Sequence, residues 1–149
     1  FYNYKPTAHR EYLFDSTAPL YPFGFGLSYT TFAYGTPRLS AAHIGAAGRT
    51  TVSVDVTNTG ARAGDEVVQL YVHAQVSRST RPVKELKGFR KVRLAPGETT
   101  TVELQIGRDA LAFHDVDYRY VVEPGEFRIM VGTSSRDEDL TTVTLRVNA

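Results

Sequence analysis

Two Pro-Gly-Glu tripeptides, Pro96-Gly97-Glu98 and Pro124-Gly125-Glu126, each stand directly before a run of alternating apolar and polar side chains. After the first, Val102, Leu104 and Ile106 alternate with Thr101, Glu103 and Gln105. After the second, Phe127, Ile129 and Val131 alternate with Arg128 and Met130. A period of two puts each row on one face of an extended strand, so such a strand buries one face and needs a second layer to bury it against. In Ala95-Pro96-Gly97-Glu98, Pro presets φ and Gly supplies a positive φ, as a type II turn requires; Glu123-Pro124-Gly125-Glu126 is expected to repeat it.

The rest of the chain reads in the same language. Residues 31–40 form a first, irregular strand interrupted by Pro37, and residues 43–48 a loop of small residues. Residues 50–58 alternate cleanly, with Val52, Val54 and Val56 inward, and stop at the turn signal Asn58-Thr59-Gly60. Residues 66–74 place Val68, Leu70 and Val72 on one face and Val67, Gln69, Tyr71 and His73 on the other, a central strand. Residues 75–89 read as a long polar connection, and residues 90–94 and 99–106 as a hairpin around the first Pro-Gly turn. Residues 107–111 make one helical turn with Asp109 placed to cap it. Short strands over residues 113–115 and 118–123 precede the strand after Gly125; residues 134–139 form a polar turn, and residues 141–147 close the chain with Val143, Leu145 and Val147 inward. About seven strands at short spacing, without a useful helical period, predict an all-β, two-sheet antiparallel β-sandwich; a closed barrel is the alternative.

Composition narrows the function. Charged residues are 22 % and the net charge is +1, which gives no electrostatic case for nucleic acid or an anionic membrane. No apolar run approaches the roughly 20 residues that span a bilayer. Without Cys there is no disulfide and no thiolate metal site. The opening FYNYKPTAHREYLF is not a signal peptide and has no initiator Met, so the chain is expected to begin inside a longer polypeptide.

No stretch reads as catalytic. The acid pairs Asp115/Asp117 and Glu123/Glu126 and the run Asp137-Glu138-Asp139 fall in expected turns, where carboxylates are solvated. His9, His43, His73 and His114 lack metal-ligand spacing, and no cofactor loop is present. Seven cations from Arg78 to Arg93, against Glu85, read as a solvated strand edge; the alternative is docking to an acidic face of a neighbouring domain or to acidic polysaccharide. Residues 1–30 carry five Tyr among Gly and Pro breaks with no period, so Tyr21, Phe23, Phe25, Leu27, Tyr29 and Phe32 are expected to pack against another domain; the alternative is a long arm lying on this domain's own surface. Tyr71, Tyr118 and Tyr120 are candidates for a carbohydrate-contacting surface; self-association is a third role.

Several motifs together resemble one family. Residues 19–32, PLYPFGFGLSYTTF, are similar to the segment entering the last domain of glycoside hydrolase family 3 enzymes. Residues 64–72 (GDEVVQLYV), 81–89 (RPVKELKGF), 94–98 (LAPGE), 123–126 (EPGE) and 131–135 (VGTSS) resemble that domain's motifs in order. The resemblance implies a fibronectin type III-like sandwich at residues 31–149. Residues 1–30 would be the tail of a preceding α/β sandwich domain plus a linker. The family's members are retaining β-glucosidases and β-xylosidases whose catalytic acids lie in domains upstream, so no catalytic residue carries over. The implied partner is the catalytic part of the same polypeptide, in a periplasmic or secreted rather than cytoplasmic setting.

Overall fold

The computed structural model describes residues 19–75, 77 and 81–148. Its elements run β1 (Phe32–Tyr34), β2 (Arg38–Leu39), β3 (His43–Gly45), β4 (Thr50–Asn58), β5 (Gly64–Ala74), β6 (Glu85–Leu94) and β7 (Thr99–Ile106). A one-turn helix α1 (Arg108–Leu111) follows, then β8 (Phe113–His114), β9 (Tyr120–Val121), β10 (Gly125–Gly132), a 3₁₀ turn over Asp137–Asp139 and β11 (Leu140–Asn148).

The valine row of β4 sets the first sheet. Val52, Val54 and Val56 are buried, while Thr51, Ser53, Asp55 and Thr57 face out. One edge of β4 pairs along its length with β7, from Thr50↔Ile106 to Thr57↔Thr99; β1 and then β2 occupy the other edge. The second sheet has the order β3-β11-β10-β5-β6, antiparallel except for the parallel pair β11–β3. Its inner residues Val68, Leu70, Val72, Phe127, Ile129, Val131, Leu145 and Val147 meet the valines of β4 with Val102 and Ile106 of β7. Each fully buried aliphatic side chain contributes about 1.5–3 kcal/mol before the entropy of ordering it is subtracted. The chain is a two-layer β-sandwich, not a barrel: β6 and β7 touch but belong to different sheets.

Five local expectations change. The hairpin does not form, because β6 pairs with β5 and β7 pairs with β4. The turn itself is as read: Gly97 has φ +74 and the Glu98 amide donates to the Ala95 carbonyl at 3.0 Å. A type II turn does not match the twist of paired strands and splays them, so here it carries the chain from one sheet to the other.

The second Pro-Gly pair is no repeat. Gly125, at φ +152, already belongs to β10 and faces Val147. The connection at residues 75–89 is shorter than expected because β6 starts at Glu85, with a bulge at Leu70/Tyr71 absorbing the register shift. Residues 43–45 form β3 instead of loop, held by β11. In α1 the capping position is Gly107, with no side-chain cap; Asp109 lies inside the first turn.

Candidate functional site

The two outer faces of the sandwich differ in chemistry. Outward from β4 and β7 stand Thr51, Ser53, Asp55, Thr57, Thr101, Glu103 and Gln105, a polar surface. Outward from the five-stranded sheet stand Val67, Gln69 and Tyr71 of β5, Phe89 of β6 and Met130 of β10. Gln69, Tyr71 and Met130 are buried there, although they point away from the core between the sheets.

Part of their cover is the segment before β1. The Phe23 carbonyl accepts from the Ser135 amide at 2.8 Å, and the Gly24 carbonyl accepts from Gln69 Nε2 at 3.0 Å. Gln69 Nε2 also donates to the Thr133 carbonyl, and its Oε1 accepts from the Tyr71 hydroxyl at 2.6 Å. This amide thereby ties arm, strand and the turn after β10 together. Gly24 has φ +79, and a Cβ there would lie 2.0 Å from Gln69 Oε1, so only glycine fits. The Phe25 amide donates back to the Pro22 carbonyl, the Tyr21 and Phe25 rings pack at 5.7 Å, and the Arg136 guanidinium lies over Phe25.

A second anchor sits where the arm enters β1. Thr30 Oγ1 donates to Asn58 Oδ1 at 2.7 Å, and the Thr59 amide donates to the Thr31 carbonyl at 2.8 Å. Asn58, fully buried, spends its Nδ2 on the Arg62 and Leu94 carbonyls. Its backbone joins the Gly97–Glu98 turn in both directions.

Held this way, the arm still exposes its large apolar side chains. Leu27 is 93 % and Tyr29 94 % exposed; Leu20, Tyr21, Phe23 and Phe25 are exposed as well, with Val67 and Phe89 on the strands. Phe32 does not join them: it is half-buried in β1 against this domain's own core. The start of the aromatic segment, residues 1–18, lies outside the described residues.

The three tyrosines proposed for carbohydrate separate. Tyr71 is 1 % exposed, with its hydroxyl donated to Gln69 Oε1, so it presents no surface to carbohydrate; burial on the outer strand face is invisible to alternation. Tyr118 is 88 % exposed at φ +59, the one non-glycine residue with positive φ among those described. Its turn is fixed by Asp115, whose Oδ1 accepts from the Asp117 and Arg119 amides. Those bonds hold the Asp115 carboxyl below its ordinary range. Tyr120 stacks on His114 at 5.1 Å and beneath Arg108.

Titratable groups elsewhere are structural. Burial raises the pKa of Glu66, whose carboxylate accepts from the Tyr34 hydroxyl at 2.7 Å; burial and that carboxylate raise Tyr34 in turn. His73 is held low, first by burial and then by Arg128. Among the described residues no cluster of His, Asp and Glu has metal-binding geometry. The basic run is neutralised far more than its sequence implies: Arg81 and Lys87 pair with Glu85, Lys84 with Asp137, and Lys91 and Arg93 with Asp65. Gln69 and Asn58 are the residues sequence reading missed, since nothing local marks partners 45 and 28 residues away.

Residues 66–135 match the fibronectin type III-like domain family. The chain is 55 % identical over 137 residues to a β-xylosidase of Formosa agariphila, covering 92 % of this chain and 19 % of that protein. It is 45 % identical over 132 residues to a periplasmic β-glucosidase of Salmonella typhimurium, covering 88 % and 17 %. The solved structure of a β-glucosidase from Erythrobacter marinus superposes with a TM-score of 0.93 at 45 % identity, covering 99 % of this chain and 20 % of that one. The chain thus spans about a fifth of the length of these relatives.

Proposed function

We propose that the chain is the fibronectin type III-like, non-catalytic C-terminal accessory domain of a glycoside hydrolase family 3 retaining β-glucosidase or β-xylosidase, a reading supported by the family match over residues 66–135 and by the similarity to a β-xylosidase and to β-glucosidases. It stabilises the catalytic part of the same polypeptide by packing against it. The observation that carries this reading is the contrast between the faces: one sheet is polar outside, while the arm side exposes Phe23, Phe25, Leu27, Tyr29, Val67 and Phe89. The proposed occupant is the catalytic part of the same polypeptide, since the relatives are about five times as long as the stretch they share with this chain. Residues 1–30 then read as the tail of the preceding domain plus linker. At about 25 cal/mol per Å², an interface of about 1,000 Å² gains on the order of 15–25 kcal/mol before ordering and desolvation costs, and only the small surplus left after them stabilises the enzyme. Removing residues 33–149 from the parent enzyme should lower its melting temperature or solubility. An unchanged melting curve with unchanged kinetics overturns the reading.

A second reading, contact with polysaccharide, is favoured by Tyr118: its ring is 88 % exposed on a turn that Asp115 fixes, so it is presented to solvent in one backbone conformation. Retention of the chain on insoluble xylan or cellulose, lost in Tyr118→Ala, is the expected result. Equal elution of chain and variant counts against it.

A further inference from the structure

At the end of the sandwich remote from the arm, where β4 begins and β7 ends, lies a groove of about 560 Å³ lined by Arg49, Lys87, Gln105, Gly107, Arg108 and Asp109. We infer that this groove binds a carboxylate-bearing saccharide, with Arg49 and Arg108 as the recognising cations. The inference rests on the second reading above and gives it a location and a ligand chemistry.

Charge selects the ligand class. Lys87 is matched by Glu85 at 2.7 Å, which leaves two guanidinium groups facing one carboxylate, Asp109. Arg49 is exposed and makes no ion pair among the described residues; its side chain lies across Gly107, within van der Waals reach of where a Cβ would be. Arg108 is pinned: its Nη2 donates to the Tyr120 carbonyl at 2.8 Å and its guanidinium sits 5.6 Å from the Tyr120 ring centroid. A guanidinium already held in place gives up little side-chain entropy on binding, and its remaining N–H groups match a planar carboxylate.

Shape and lining point to sugar. The volume falls within the roughly 300–1,000 Å³ of small-ligand clefts, and the walls set polar groups beside the Ala47 and Ala110 methyls and the carbon stems of Arg49, Lys87 and Arg108, a mixture that suits the hydroxyls and C–H faces of a sugar. The Gln105 amide suits hydroxyl groups. A neutral sugar meets only these features, whereas a uronate also neutralises the two arginines. The groove lies at the opposite end from the Thr30–Asn58 anchor, so docking of the arm side leaves it open.

The test is an NMR titration of the isotopically labelled 149-residue chain with three probes: a neutral xylo-oligosaccharide, the same oligosaccharide bearing a glucuronic acid branch, and sodium sulfate. The expected result is shifts at the amides of Gly107, Arg108 and Ala110, with the acidic oligosaccharide binding about tenfold tighter than the neutral one. Arg49→Gln, an exposed position whose change leaves the remaining spectrum superposable, removes that advantage, and Arg90→Gln on the β6 edge does not. Equal binding of neutral and acidic oligosaccharides overturns the inference while sparing the second reading. Sulfate shifting the same amides as strongly as the acidic oligosaccharide means an adventitious ion only and overturns it too. No shift with either oligosaccharide removes both.

Discussion

Gln69 shows how much one amide can carry. Both Nε2 hydrogens are donated, to Gly24 and Thr133, and Oε1 receives the Tyr71 hydroxyl. Gln69→Ala strands these partners in a covered site at about 1–3 kcal/mol for each group left unpaired. Urea denaturation should show the loss, and wild-type stability would remove Gln69 from its role.

Glu66 sets a pH dependence. Burial raises its carboxyl above the ordinary glutamate value of 4.5, so the folded state binds its proton more tightly than the unfolded one. Its contribution to stability is complete below that ordinary value and is lost as pH rises through the raised one. Glu66→Gln keeps an acceptor for Tyr34 without the charge, so the variant should gain in melting temperature on wild type between pH 4 and pH 7; a gap independent of pH argues against this. Asp55 slopes the opposite way, since hydrogen bonds from Arg38 and Thr101 hold its carboxyl low and its contribution fades in acid. Comparing the pair at each pH cancels that background.

At the level of strands, β4, β5, β7, β10 and β11 were legible because each buries one unbroken row at a period of two. The first half of β6 was not, because residues 84–88 mix charge with Gly and pass a bulge that shifts the row. Nor was β3, whose three residues form a strand only because β11 supplies a parallel partner about 100 residues away. The type II turn could be read from Pro96 and Gly97, but its consequence, a change of sheet, depends on twist that composition does not encode. For the candidate site, the exposed aromatics announced themselves, while the arm's seat on Gln69 and Asn58 is tertiary and left no local trace. Gly24→Ala tests that seat: the new Cβ collides with Gln69 and the backbone is strained, at about 1–2 kcal/mol. Limited proteolysis between residues 19 and 31 should quicken in this variant. Gly26→Ala, with nothing within 4 Å, should be cut at the wild-type rate.

Over the whole molecule, the polar four-stranded face and the apolar arm side make the sandwich two-sided in chemistry. Replacing Leu27 and Tyr29 together by Ser should change the stability of this chain by no more than about 0.5 kcal/mol, since both rings and branches stand in solvent. The same pair in the parent enzyme should lower its melting temperature by several degrees. Equal melting of both parent forms would show that the patch contacts nothing there. The double fastening of the arm, at Gly24 and at Thr30, has a mechanical outcome. A tether pinned at one point swivels, whereas one pinned at two is a bracket. Small-angle scattering of the parent enzyme should therefore fit a single fixed outline, with no family of orientations for its last domain.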